Sequence, residues 1–166
     1  MKEIAPVAVS NPRIAVVASR FNRFIVDQLV AGVSDALERR GVAVAQQPLV
    51  WVPGAFELPL TAARLAASGR FDAVSALGAV VRGGTPHFDY VAGTCADGLA
   101  RVALDHGLPV IFGVLTTDDV EQALERAGTG EGNKGFDAAM TALEMIDTLH
   151  ALQGKMGDPG NGPGGA

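Results

Sequence analysis

The sequence predicts an α/β fold, a three-layer sandwich in which a four-stranded parallel sheet lies between two layers of helices. Three observations carry that prediction. Strand-like and helix-like segments alternate four times along the 166 residues, which calls for βαβ units. The strand-like segments are continuous apolar runs, as expected of strands covered on both faces. Hydrophobic residues make up 48% of the chain but aromatics only 5%, so the core is assigned to Ala, Val and Leu in one domain of sizeable interior.

Residues 1–12 read as an N-terminal arm, in which Pro6-Val7-Ala8-Val9 is expected to form a short edge strand before the Asn11-Pro12 turn. Ile14 to Ala18 is the first buried strand, broken by Arg20-Phe21-Asn22-Arg23. The helix that follows carries Ile25, Leu29, Val33 and Leu37 on one face, with Gly41 as its stop signal. Leu49 to Val52 is the second strand, ended by Pro53-Gly54. A helix starts around Glu57–Pro59, where proline is tolerated in the first turn, and runs to about Ser68.

Ala73 to Val81 has the length and β-branched content of a third buried strand. The next helix is expected to begin near Tyr90, to be lined by Val91, Cys95, Leu99 and Val102, and to end at Gly107. Pro109 to Leu115 is the fourth strand. Asp118 is the expected cap of the helix after it, with Glu121 three residues later, and Gly128 to Gly135 breaks that helix. A last helix is expected from Phe136 to about Leu152. A single domain thus spans residues 13–153. The tail 154–166, with six glycines and two prolines in thirteen residues, is expected to be disordered.

Composition narrows the function classes. A net charge of −5 with scattered Lys and Arg argues against a nucleic-acid surface. Mean hydropathy is high at +0.25, yet no apolar run reaches the length of a membrane span, so the surplus is assigned to subunit interfaces. The chain opens without a signal-peptide pattern and reads as cytoplasmic. Cys95 is the single cysteine, which leaves no disulfide framework or Cys-based metal cluster, and its helical setting suits an inert small hydrophobe.

In parallel sheets ligands collect beyond the carboxyl ends of the strands. That rule gathers Phe21 and Asn22, Gly54 to Glu57, Val81 to His87 and the start of the 116–119 loop onto one rim. The paired glycines Gly83-Gly84 let backbone N–H groups face one way, Thr85 adds a hydroxyl, and together they suit an anion. His87 follows at the distance where a proton-transfer group of near-neutral pKa is useful. A tight strand-to-helix turn with a solvent-facing histidine explains the same residues. Arg126 at a helix end and Lys134 in the adjacent loop are equally open to a plain account, since cations complement a helix C-terminus. Glu57 near a helix start has a similar one. Phe21 resists it, because an aromatic ring in a strand-end loop is exposed apolar surface unless something covers it.

Two phosphate motifs almost match and fail. Gly78 to Thr85 has P-loop spacing, but Gly84 stands at the lysine position and Gly78 lies inside the strand. Gly130 to Gly135 spells the dinucleotide pattern after a helix, where that pattern has no meaning. His106 and His150 fall in helical patterns away from the rim, and no Ser-His-Asp or metal-ligand spacing occurs.

Five segments occur in order: Arg20-Phe21-Asn22, Pro53-Gly54-Ala55-Phe56-Glu57-Leu58-Pro59, Gly78-Ala79-Val80-Val81-Arg82-Gly83-Gly84-Thr85-Pro86-His87-Phe88-Asp89-Tyr90, Phe112-Gly113-Val114-Leu115-Thr116-Thr117 and Arg126-Ala127-Gly128-Thr129. As an ordered set they resemble the lumazine synthase family over roughly residues 13–152. The resemblance implies a flavodoxin-like sheet and a transferase of riboflavin biosynthesis that uses neither metal nor organic cofactor. Such enzymes condense 5-amino-6-(D-ribitylamino)uracil with 3,4-dihydroxy-2-butanone 4-phosphate, releasing phosphate and water.

It also implies residue roles. Phe21 stacks on the pyrimidine, and Asn22 lies near the ribityl chain. Ala55, Phe56 and Glu57, with Ala79, Val80 and Val81, line the same substrate, Glu57 taking ribityl hydroxyls. Gly84, Thr85 and Arg126 hold the phosphate, and His87 is the proton donor. Phe112 reaches across from a neighbouring subunit, and Lys134 stands near the pyrimidine. A homopentamer follows from the resemblance, which leaves open an icosahedral shell of sixty chains and riboflavin synthase as a partner.

The departures are Gly84, where several relatives carry an acidic residue, and Gly130-Glu131, which replaces a common Lys-Ala pair and so removes one positive charge and adds a negative one. A non-catalytic flavin or lumazine binder on the same fold is the rival reading, and His87 and Arg126 speak against it. A structural shell with a decayed site is another, but no motif position is lost.

Overall fold

Four apolar runs become four parallel strands in the computed structural model, which describes residues 1, 3–128 and 132–156. They are β1 (Ile14–Ser19), β2 (Leu49–Val52), β3 (Ala73–Val81) and β4 (Val110–Thr117), lying side by side in the order β2-β1-β3-β4. The helices are α1 (Arg23–Arg39), α2 (Leu58–Ala67), α3 (His87–His106), α4 (Val120–Arg126) and α5 (Lys134–Met156). Every residue of β1 is buried, and so are the first seven of β3, which is why these central strands carry no polar alternation.

Successive side chains still divide between the two faces. Ile14, Val16, Ala18 and Leu77 pack with Ile25, Leu29 and Val33 of α1 and with Ala139, Ala142 and Leu143 of α5. Ala15, Val17, Val74 and Ala76 pack with Leu58 and Ala62 of α2 and with Cys95, Leu99 and Val102 of α3. The three layers expected from the sequence are therefore present. The strand order reverses between β1, whose chain leaves into α1 on one face, and β3, whose chain leaves into α3 on the other. A crevice opens beyond the carboxyl ends of these two strands.

Several boundaries move, each for a local reason. Helix α3 begins at His87 instead of near Tyr90, because Pro86 (φ −65°) is already set for helix entry. At its far end Gly107 takes the left-handed conformation (φ 58°) that closes the helix. Asp119, not Asp118, caps α4: its carboxylate accepts the Gln122 N–H at 2.8 Å, while Asp118 pairs with Arg82. Helix α5 starts at Lys134, two residues early, because the Asn133 side chain accepts the N–H groups of Gly135 and Phe136.

The edge strand expected at Pro6-Val7-Ala8-Val9 does not form in the single chain. Asp147 of α5 takes its N–H groups instead, the backbone carbonyl at 3.2 Å from Val7 N and Oδ1 at 2.9 Å from Val9 N. Helix α5 continues to Met156, past the expected end near Leu152. The disorder expected beyond residue 156, and the Gly130-Glu131 departure, lie outside the described residues.

Candidate active site

The crevice is built by loops that keep the strands paired beyond their ends. Arg20 N–H donates to the Val52 carbonyl at 2.8 Å and Phe21 N–H to the Pro53 carbonyl at 3.1 Å. That extension carries the Phe21 ring onto the rim, where it is 70% exposed. Asn22 then turns the chain into α1 from a left-handed backbone (φ 55°), a conformation asparagine tolerates better than most residues. Its side-chain amide donates to the Ala79 carbonyl at 3.0 Å.

After β2, Ala55 is buried and anchors a 3₁₀ turn at Ala55–Glu57, leaving the Phe56 ring exposed at the rim. The turn is closed by Glu57, whose Oε2 accepts the Gly54 N–H at 2.8 Å. This bond caps the turn, and it also holds the carboxylate at the cavity wall.

At the end of β3, Arg82 N–H donates to the Thr117 carbonyl at 2.8 Å. The Arg82 guanidinium contacts Asp118 at 3.0 Å and Asp89 at 3.4 Å and lies 4.3 Å over the Phe88 ring. The hydrogen bond to Asp118, reinforced by Asp89, holds its pKa above the ordinary arginine value. Gly83, Gly84 and Thr85 follow as exposed backbone, with open space where a Cβ at either glycine would stand. His87 is exposed at the first position of α3.

A cavity of about 850 Å³ occupies the crevice. Of the residues singled out from the sequence, it gathers Phe21, Ala55, Phe56, Glu57, Ala79, Val80, Val81, Thr85 and His87. Gly83 lines it where Gly84 does not, and Asn22 serves the Ala79 carbonyl instead of the wall. No Lys or Arg is among the described residues that line it.

The cations lie elsewhere. Arg126, the last residue of α4, and Lys134, the first of α5, line a groove of about 560 Å³ along the unpaired edge of β4, together with Phe112. Arg126 donates to the Gln122 carbonyl at 3.0 Å, and Lys134 pairs with Asp137 at 2.9 Å. Within one chain the expected phosphate set of Gly84, Thr85 and Arg126 is therefore split, with Arg126 seated beside Phe112 and Lys134.

Sequence reasoning missed part of the cavity wall: Tyr90, Val91 and Thr94 of α3 face it as well. Their spacing of three, four and seven residues from His87 is one helical face, and that periodicity was the available signal. Burial pushes the Cys95 thiol up to about 11, which keeps it neutral and unreactive. Among the described residues, no three His, Cys, Asp or Glu side chains gather as a metal site. No described helix is long and apolar enough to cross a membrane.

Chemically, the cavity offers aromatic faces and β3 backbone for a planar heterocycle, a carboxylate for hydroxyl groups, and a glycine-rich turn beside an imidazole for an anion and a proton. Residues 11–150, which contain all of these, match the pattern of the 6,7-dimethyl-8-ribityllumazine synthase family. Over 148 residues the chain is 58% identical to the 6,7-dimethyl-8-ribityllumazine synthase of Edwardsiella ictaluri (strain 93-146), a span covering 89% of this chain and 95% of that one. Two solved structures of a GDP-L-fucose synthetase from Naegleria fowleri, one bound to NADP, align with 93% of this chain at 12% identity and TM-scores of 0.41 and 0.42; the alignment spans 48% of their length. The family match and the curated relative agree over most of the chain: it belongs to the 6,7-dimethyl-8-ribityllumazine synthase family.

Proposed function

We propose that this chain condenses 5-amino-6-(D-ribitylamino)uracil with 3,4-dihydroxy-2-butanone 4-phosphate to give 6,7-dimethyl-8-ribityllumazine, phosphate and water. One observation carries the reading: ring faces, a fixed carboxylate and an imidazole line a single cavity in the crevice, inside the span that matches the family. Phe21 stacks on the pyrimidine, the β3 backbone from Ala79 to Val81 meets its edge, and Glu57 accepts ribityl hydroxyls. His87 gives and takes the protons that imine formation, phosphate loss and ring closure require. Holding two substrates in one cavity supplies much of the remaining acceleration.

The phosphate needs a cation, and none is among the described residues that line this crevice. A neighbouring chain that docks the unpaired edge of its β4 against the crevice brings Phe112, Arg126 and Lys134 together with the Gly83–Thr85 turn. Arg126 then meets the phosphate, Lys134 stands near the pyrimidine, and the site belongs to two subunits. Exposed Phe21, Phe56, Tyr90 and Phe112 lose water in such a contact, which favours it. The assembly is a homopentameric ring of about 85 kDa, from 17.0 kDa chains, working in the cytoplasm. The Ala5 to Val9 segment pairs with a neighbour's sheet edge in that ring.

The reading is tested by mixing both substrates with the folded protein and following fluorescence of the bicyclic product and release of phosphate. Both are expected to rise together, well above the uncatalysed rate. Folded protein that accelerates neither would overturn it.

A further inference from the structure

We propose that Asn133 is a positioning residue for the cations of the β4 groove: its carboxamide fixes the end of α4 and the start of α5, and with them Arg126 and Lys134. The inference rests on the reading that Arg126 meets the substrate phosphate. Asn133 is one of four buried polar residues among the described ones, at 8% exposure. Its side chain makes four hydrogen bonds. Nδ2 donates to the carbonyls of Gln28 in α1 (3.0 Å) and of Ala127, the residue after Arg126 (3.1 Å). Oδ1 accepts from Gly135 N (2.8 Å) and Phe136 N (3.1 Å) in the first turn of α5. A carboxamide has two N–H donors and two lone pairs, so all of its capacity is used.

One planar group therefore ties three helices together at the point where the two cations leave the backbone. It has no slack. A Cβ at Gly32 of α1 would overlap the Asn133 carboxamide, and a Cβ at Gly135 would run into the Leu29 carbonyl, so α1 is pressed against both. Capping alone does not call for asparagine, since serine or aspartate accepts the same N–H groups equally well. What they lack is the pair of donors that holds the Gln28 and Ala127 carbonyls. Those donors fix the end of α4, one residue from Arg126.

The test uses Asn133→Ser, which keeps a cap acceptor, replaces the two amide N–H donors with a single hydroxyl on a shorter side chain, and adds no charge. Asn133→Asp, which keeps the shape as well as the cap, is the second variant. The probe is inorganic phosphate as an inhibitor competing with the phosphorylated substrate. In folded rings, loss of the donors is expected to raise the phosphate inhibition constant and the KM of the phosphorylated substrate about three- to tenfold, with a smaller change in kcat. In an Arg126→Ala background the same substitution is expected to change neither further, because the residue acts through Arg126.

If Arg126→Ala alone leaves phosphate inhibition unchanged, the functional reading of Arg126 falls and the positioning role falls with it. If Arg126→Ala weakens phosphate but the Asn133 variants do not, or do so additively, the positioning role is overturned while that reading stands. If neither Asn133 variant folds, judged by circular dichroism and ring mass, Asn133 is a requirement of the fold, and the positioning role is overturned likewise.

Discussion

The side-chain amide of Asn22 donates to the backbone carbonyl of Ala79 at 3.0 Å, joining the loop after β1 to the end of β3 across the crevice. Both flanking segments line the cavity, through Phe21 on one side and Ala79 to Val81 on the other. The bond therefore sets the spacing of two walls of the site.

Replacing Asn22 separates two costs. Asn22→Gly removes the hydrogen bond but suits the left-handed backbone, and is expected to lose about 1 kcal/mol of stability. Asn22→Ala also pays the steric cost of φ 55° and is expected to lose about 2 kcal/mol. Urea unfolding at one fixed protein concentration checks this. Equal losses for the two variants would show that backbone strain at Asn22 is negligible.

His87 is exposed, and among the described residues its side chain has no hydrogen-bond partner, so His87→Asn is expected to leave fold and assembly intact. Turnover is expected to fall by about 10²-fold or less, since water also moves protons in this reaction. Steady-state kinetics on folded rings provides the measurement. An unchanged kcat would remove His87 from the mechanism.

A shared site predicts complementation. In rings reassembled from equal amounts of His87→Asn and Arg126→Ala chains, about one quarter of the sites pair a wild-type His87 with a wild-type Arg126 from the next chain. Activity is expected to rise above the mean of the two parents towards one quarter of wild type. Were both residues to act within their own chain, no site would be repaired, and verified mixed rings would show only the mean of the parents.

Cys95 makes a pH-dependent contribution whose sign follows from burial. Its thiol stays neutral in the fold up to about 11, whereas an unfolded thiol ionises near 9.0. Below pH 9.0 both states hold the proton and the contribution is complete; as pH rises towards about 11 only the unfolded state releases it, and stability falls. Cys95→Ala removes this slope. The gap in urea midpoint between wild type and Cys95→Ala is therefore expected to narrow over that range, and a constant gap would contradict the raised pKa.

The layers of the fold were legible in the sequence because burial on two faces leaves a local mark. Ile14 to Ala18 and Ala73 to Val81 had to be central strands, since neither tolerates water on any side. The rim was legible from the same runs: Phe21, Gly54 to Glu57 and Thr85 to His87 each begin within four residues of the end of an apolar run. Boundaries were less so. Asp118 and Asp119 are equivalent as capping residues, and only the position of Arg82 in space decides which of them caps α4.

By itself, then, the sequence determined the sandwich, the crevice and part of its lining, because hydrophobic periodicity and turn chemistry act over a few residues. Only the tertiary structure decided that Arg126 and Lys134 stand with Phe112 on the β4 edge, apart from the glycine-rich turn that Arg126 was expected to join. It decided equally that the arm lies on α5 through Asp147. The placement of the two cations depends on how closely α1 approaches α5 at Gly32 and Gly135, and on four hydrogen bonds to Asn133, one of them to Gln28, 105 positions away. Contacts of that range come from close packing of the whole domain, and no local pattern encodes them.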